Sequence, residues 1–170
     1  MTAARGAALA AMTCVAVLAQ TVVLRYVAID GVVPDLVLIL VVVAAIERGP
    51  QFGAQLGFGA GLLLDLAPPA DHVAGRWALA LVVVGYLAGR VRQDARSSTL
   101  TAVLVVGAAS FVGTSIFALT GMVLDDAAVG VPELLRVIGV SVVMDLLLTP
   151  FVLPPLMAMF RRLEPDRALA

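Results

Sequence analysis

The stretch that decides the fold is GAQLGFGAGLLLD, residues 53–65. Gly53, Gly57 and Gly61, here called the glycine stripe, recur every four residues and therefore lie along one side of a helix. Asp65 continues the series by one step. Each glycine destabilises a helix in water by about 1 kcal/mol relative to alanine, so three in register need a compensating interaction. In a bilayer, where lipid tails give helices no hydrophobic reason to associate, close backbone approach supplies it.

Composition agrees with a membrane location. The 170 residues are 62% hydrophobic and 14% charged, with a mean hydropathy of +1.08, whereas soluble domains are roughly 45–50% apolar. The net charge of −1 gives no indication of nucleic-acid binding. Cys14 is the only cysteine, which excludes an internal disulfide and a cysteine metal site.

Apolar runs and their breakers predict an all-α integral membrane protein, a compact bundle of six transmembrane helices that forms one domain over residues 1–170. The first run continues past a potential signal-peptidase site at Val17-Leu18-Ala19, which favours an uncleaved span. The second is short, so we expect it to thin the bilayer as a tight hairpin with the third or to lie within the bundle. The predicted spans are about 7–24, 34–47, 50–66, 74–91, 99–124 and 132–160.

The last predicted span contains Pro150, Pro154 and Pro155. Proline removes a helix hydrogen bond and clashes with the preceding turn. We therefore expect this span either to kink at the prolines or to stop there and resume as an interfacial helix.

Arginine placement predicts that both termini are cytoplasmic. With six spans, eight of the eleven arginines fall in the cytoplasmic segments, whereas Arg25, Arg76 and Arg136 fall in outer segments. This distribution follows the positive-inside rule. No long extramembrane segment remains in this arrangement, which excludes an enzyme that needs a soluble catalytic module.

Two acidic residues are expected near the outer ends of their helices, where each could be partly hydrated. Asp35 falls in the first turn of the second span, where a carboxylate is a favourable cap; the alternative is a contact with an outer-face partner. Asp65 falls at a carboxyl-terminal helix end, where the helix dipole disfavours it. We therefore expect it to need Arg76 or another hydrogen-bonding group as a partner.

Asp145 is predicted to be a buried polar residue in the middle of the last span. An acid inside a bilayer is costly and usually faces the interior of a bundle. We expect it to be hydrogen-bonded to Gln20, to Gln55 or to a hydroxyl group of the fifth span. The alternative is coupling to an ion or a proton.

The sequence contains no residue pattern that is typical of an enzyme active site. It contains no Ser-His-Asp set, no histidine pair and no paired carboxylates at catalytic spacing. His72 is the lone histidine, and Asp71 beside it does not complete a metal site. We therefore predict no catalytic, cofactor-binding or metal-binding residues. The glycine stripe is open to two interpretations, a helix crossing within the chain or an interface with a partner or a second copy.

Residues 30–90 contain a series of glycines and short motifs with a distinctive spacing: Pro34-Asp35-Leu36, Gly49, Gly53, Gly57-Phe58, Gly61-Leu62-Leu63, Asp65-Leu66, Gly75 and Gly85-Tyr86-Leu87. This series resembles the MreD family of rod shape-determining proteins. The resemblance implies a non-enzymatic, multi-pass protein of the bacterial plasma membrane that acts in cell shape and peptidoglycan synthesis.

The partners that this resemblance implies are an MreC-like bitopic protein, a RodA-type glycosyltransferase with a class B penicillin-binding protein and, indirectly, the MreB filament. Membrane lipid and a second copy of the chain are further expected partners. As a hypothesis, one face docks the membrane segment of MreC or that second copy. The residues assigned to this face are Asp35, Gly53, Gly57, Gly61 and Asp65.

Two other functions remain open. The substrate-binding component of an energy-coupling-factor vitamin transporter has similar length and six spans, but it should show a pocket with convergent polar and aromatic groups. This chain has one tryptophan and two tyrosines. A proton-coupled carrier built around Asp145 is the third interpretation.

Overall fold

The computed structural model describes residues 3–68, 73–124 and 130–162, and these form a bundle of helices joined by short loops. This confirms the all-α class. Helix α1 continues beyond its last α-helical residue through a π-helical turn, Ala19–Val23, and a 3₁₀ turn, Leu24–Val27. The α-helices are α1 Ala3–Leu18, α2 Leu36–Arg48, α3 Pro50–Leu66, α4 Arg76–Arg90, α5 Arg92–Ser97, α6 Thr99–Val123 and α7 Val131–Arg162.

Three helical stretches among the described residues are long and apolar enough to cross a membrane: Ala3–Val27, Thr99–Val123 and Val131–Arg162. They coincide with the first, fifth and sixth predicted spans. The other predicted spans correspond to α2, α3 and α4, which have 13, 17 and 15 residues. At 1.5 Å per residue these helices are about 20–26 Å long, shorter than the roughly 30 Å hydrocarbon core of a typical bilayer.

Helix α2 is the axis of the bundle. Every residue from Val37 to Ile46 has 0% exposed surface, and α1, α3, α4, α5, α6 and α7 all contact this helix. From Leu36 to Ile46 its residues are apolar on all sides, which is the pattern of a fully enclosed helix. Of the two positions expected for this short helix, the one within the bundle is therefore observed.

Helix α7 runs without interruption from Val131 to Arg162. The expected alternative in which it stops at the prolines and resumes is therefore wrong. Pro150 has no N–H, so the Leu146 carbonyl four residues earlier loses its usual helical donor. The rest of the helix tolerates this loss because its inner face packs against α2 and α6.

One end of the bundle is fastened by ion pairs. The buried carboxylate of Glu47, at the end of α2, lies 2.8 Å from Arg96 of α5 and 3.3 Å from Arg161 of α7. The adjacent Arg48 lies over the Phe52 ring, 4.8 Å from its centroid. A buried carboxylate is tolerated only when it is paired, and here the pairing joins three helices.

Candidate functional site

The glycine stripe packs against α4 of the same chain. A Cβ atom at Gly53 would lie 2.5 Å from the Gly85 carbonyl oxygen, which is too close for any side chain. The other two glycines meet backbone atoms in the same way, Gly57 at Leu81 and Gly61 at Ala78. Helices α3 and α4 therefore form a hairpin with touching backbones, and the atoms of the stripe are covered from within the chain.

Asp65 caps the next helix rather than its own. Its side chain is 1% exposed and accepts hydrogen bonds from the backbone N–H groups of Gly75, Trp77 and Ala78 at 2.9, 3.1 and 3.1 Å. These groups belong to the start of α4, where unpaired N–H groups and the helix dipole favour a carboxylate. The hydrogen-bonding group that the sequence required for Asp65 is thus the amino end of α4.

Asp35 is the N-cap of α2, as its position after Pro34 indicated. Its Oδ1 accepts a hydrogen bond from the backbone N–H of Leu38 at 2.8 Å. The expectation of partial hydration is wrong, because Asp35 is only 6% exposed. The reason is the shortness of α2, which begins inside the bundle instead of at its surface.

Asp145 lies at the same helix start. It is 1% exposed; its Oδ1 accepts a hydrogen bond from the backbone N–H of Asp35, and its Oδ2 accepts one from the Ser110 hydroxyl, both at 2.6 Å. Ser110 belongs to α6, the fifth predicted span, so the partner is a hydroxyl group of the kind expected. The positive end of the α2 dipole stabilises a carboxyl group placed there.

Gln20 completes the cluster, and sequence reasoning gave it only the role of a possible partner for Asp145. Its Oε1 accepts a hydrogen bond from the backbone N–H of Val37 at 2.8 Å, so it binds α2 instead. Gln20 lies on the π-helical turn of α1, and such turns insert one extra residue and redirect side chains, often at functional sites. An isolated glutamine within an apolar run was the available signal.

The polar cluster of Gln20, Asp35, Ser110 and Asp145 lies deep in the bundle. Asp145 follows Val131, the first residue of α7, by 14 positions, which is about 21 Å along the helix. Ser110 follows Thr99 at the start of α6 by 11 positions, or about 17 Å. The cluster therefore sits near the middle of both long helices.

Two adjoining cavities open beside this cluster. The first, of about 350 Å³, lies between the loop before α2 and the helices α4, α6 and α7; its wall includes Asp35, Trp77, Thr114 and Ser141. The second, of about 280 Å³, shares Gln20, Gly31, Val33 and Trp77 with the first and also includes Arg25. Polar and aromatic groups thus converge at the start of α2, which the spacing of these residues in the sequence did not reveal.

The described residues contain no group of three histidine, cysteine or acidic side chains that could hold a metal ion. Asp71 and His72 lie outside the described residues. Asp65 accepts hydrogen bonds from the start of α4, and Asp145 accepts them from the N–H of Asp35 at the start of α2 and from Ser110. These hydrogen bonds fix the helices in position.

Comparison with known proteins identifies the family. The sequence model of one family, described as rod shape-determining protein MreD, matches residues 4–156 of the 170-residue chain. Searches of curated proteins and of solved structures give no match. The family match extends well beyond residues 30–90, where the resemblance was first apparent, and covers all the helices described above up to the last turns of α7. The chain therefore belongs to the MreD family of rod shape-determining proteins.

Proposed function

We propose that the chain acts in rod shape determination as a non-enzymatic membrane scaffold that docks the membrane segment of an MreC-like bitopic protein. Family membership supports the role in cell shape. Through MreC the scaffold would reach a RodA-type glycosyltransferase with its class B penicillin-binding protein and, indirectly, the MreB filament. The supporting observation is a surface of α3 that has features of a helix-docking face.

This surface, the α3 outer face, lies opposite the glycine stripe and consists of Gln55, Phe58, Gly59, Leu62 and Leu66. Phe58 is 54% exposed and Leu66 is 68% exposed. A Cβ at Gly59 would meet no atom within 4 Å, so the backbone is open to close approach there. The exposed amide of Gln55 lies on the same face as this glycine; an amide is costly in lipid, and a polar group on a docked helix would satisfy it.

In this proposal the residues first assigned to docking position the helices and do not themselves contact the partner. Gly53, Gly57 and Gly61 hold α3 against α4, and Asp65 fixes the start of α4. Asp35 anchors α2 behind them. Together they set the position of α3, so substitutions there would disturb docking through the fold.

We further propose that the chain crosses the plasma membrane six times with both termini in the cytoplasm. The arginine distribution supports this topology. Helices α2, α3 and α4 would then cross where the bilayer is locally thinned or where the longer helices shield them, because short spans are accommodated in these ways.

Copurification of a tagged chain from native membranes tests the docking proposal. Gly59→Leu should reduce the amount of MreC that copurifies, since the new side chain fills the open surface without touching the rest of the fold. Gly139→Leu is the matched control, because Gly139 on α7 is also exposed with nothing within 4 Å. Equal MreC recovery with both variants at equal expression would overturn the proposal. Loss of self-association instead of MreC would assign the face to a second copy.

Ligand binding is a second candidate function, since the first cavity brings Asp35 and Trp77 together, as a substrate-binding component would require. A vitamin that raises the unfolding temperature of the purified chain would support the transporter-component interpretation.

A further inference from the structure

A groove of about 380 Å³, here called the α4/α6 groove, lies between these two helices. Its floor is apolar and buried, and includes Val84 and Ala88 of α4 and Ala109 of α6. Leu87 and Leu104 also line the groove and are exposed. The groove is therefore open on the side that faces away from the bundle, where a membrane protein contacts lipid.

The polar part of the groove wall is confined to one end. Among the described residues that line the groove, only Asp94 and Thr101 are polar, and they belong to α5 and to the first turn of α6. The other end lies at Val84 and Val112, since a Cβ atom at Gly113 would lie 3.2 Å from the Val84 side chain. A wall with one polar end and an apolar remainder matches an amphiphilic ligand.

The length of the groove restricts its occupant. On α6 the lining extends from Thr101 to Val112, which is 11 positions or about 17 Å. This is close to half of the roughly 30 Å hydrocarbon core, the depth of one leaflet. A transmembrane helix of a partner would extend well past the groove, whereas one acyl chain of a lipid in a single leaflet matches its length.

Two arginines flank the polar end. Arg90 and Arg92 are the chain neighbours of Val91, which lines the groove. Consecutive Cα atoms are about 3.8 Å apart, so both side chains begin at the edge of the groove. Arg90 is exposed and donates a hydrogen bond to the Tyr86 hydroxyl at 3.2 Å, which keeps its guanidinium group beside α4.

The charges at this end favour an anion. Arg96 pairs with the buried Glu47, so Arg90 and Arg92 act against Asp94, with one net positive charge. Guanidinium groups bind phosphate well, and basic residues near a membrane surface attract anionic lipids. The Asp94 carboxylate, an acceptor of hydrogen bonds, suits a headgroup that also carries hydroxyl groups.

We propose that the α4/α6 groove binds one acyl chain of an anionic phospholipid, with the lipid phosphate at Arg90 and Arg92. A phosphatidylglycerol headgroup combines the negative phosphate with hydroxyl groups that donate to Asp94. The site shares no residue with the α3 outer face, so its test is independent of MreC docking.

Native mass spectrometry of the purified full chain measures how much phospholipid stays bound. The chain is titrated with phosphatidylglycerol and, as the matched control, with phosphatidylcholine that has the same acyl chains. We expect phosphatidylglycerol to bind about five-fold more tightly, the effect of one net positive charge near a membrane surface. Equal affinities for the two lipids would contradict the proposed headgroup contact.

Ala108→Phe tests the groove itself. Ala108 lines the groove and is exposed, so a phenyl ring there takes the space of the acyl chain without entering the core. The affinity for phosphatidylglycerol should fall about ten-fold or more, because apolar contacts of the chain are lost. Ala11→Phe, at an exposed alanine of α1, is the matched control.

Equal phosphatidylglycerol binding by these two variants would overturn the proposal. If Ala108→Phe instead loses copurifying MreC or self-association while it keeps the lipid, the groove belongs to a partner helix or to a second copy, and the lipid proposal is wrong.

Arginine variants test the phosphate contact. Arg90→Gln and Arg92→Gln should each lower the affinity for phosphatidylglycerol about five-fold and leave that for phosphatidylcholine unchanged. A general disturbance of the fold would weaken both lipids alike. Arg25→Gln is the control, because Arg25 is exposed and lies near the start of α4, at its opposite end. A preference for phosphatidylglycerol that survives in both groove variants contradicts the assignment of the phosphate.

Discussion

The backbone N–H of Asp35 donates a 2.6 Å hydrogen bond to the side chain of Asp145, 110 residues further along the chain. This bond fixes the start of the enclosed helix α2 to the middle of α7. Because Asp145 also accepts from Ser110, a single carboxyl group holds α2, α6 and α7 together at one depth.

The first prediction concerns this carboxyl group. Asp145→Ala removes the acceptor for two buried donors, and each buried group left unpaired costs about 1–3 kcal/mol. We expect a clear fall in the thermal unfolding temperature of the purified chain. Asp145→Asn keeps one acceptor oxygen and should cost less than the alanine variant. If the asparagine variant is fully stable but abolishes a measurable proton flux, the carrier interpretation replaces the structural one.

The second prediction compares two neighbouring glycines of α3. Gly57→Ala should destabilise the chain by about 1–3 kcal/mol, because its Cβ would press on the backbone of Leu81. Gly59→Ala meets no atom and should be neutral or stabilising by about 0.5–1 kcal/mol, since alanine favours helix over glycine. Thermal unfolding in detergent measures both, and equal effects would contradict the hairpin geometry.

The third prediction concerns the cap of α4. Asp65→Ala leaves three N–H groups at the start of α4 without their acceptor, and the loss of a helix cap costs about 0.5–2 kcal/mol. Asp65→Asn keeps one acceptor oxygen but turns an amide N–H₂ toward the remaining N–H groups, so it should recover only part of the stability that the alanine variant loses. Hydrogen exchange followed by mass spectrometry should show that the amides in the first turn of α4 exchange faster in Asp65→Ala than in the original chain. Increased exchange throughout the chain would indicate a wider role.

The fourth prediction separates the two arginines at Glu47. The Arg96 pair is the shorter, 2.8 Å against 3.3 Å, and Arg96 is the less exposed arginine, at 40% against 60%. Solvent screens the more exposed pair more strongly. Double-mutant cycles of Glu47→Gln with Arg96→Gln or Arg161→Gln should therefore give a larger coupling energy for Arg96. A larger coupling to Arg161 would contradict this ranking.

The sequence allowed the fold class to be predicted because apolar runs and their breakers are local. The long helices α1, α6 and α7 follow such runs. The same reasoning gave a cap as one of two roles for Asp35, and a hydroxyl group of the fifth span as one of three candidate partners for Asp145. These features depend on residue type and position along one helix.

Features that depend on which helices contact one another could not be predicted from the sequence. The four-residue period of the glycine stripe shows that one face of α3 carries only the smallest residue, but periodicity does not reveal whether α4 or a partner covers that face. The depth of Asp35 depends on how far α2 lies within the bundle. The N–H groups of Gly75 and Trp77 donate to Asp65, which belongs to the preceding helix. The sequence of α4 alone does not reveal this contact.

The complete enclosure of α2 has a consequence for biosynthesis. Helices α3 to α7 are translated after α2, yet they supply most of its surroundings. Until those helices are in place, α2 lacks most of the contacts that enclose it in the folded chain. Asp145, which accepts from the N–H of the α2 cap Asp35, lies on the last helix, so this contact forms only after that part of α7 has been translated.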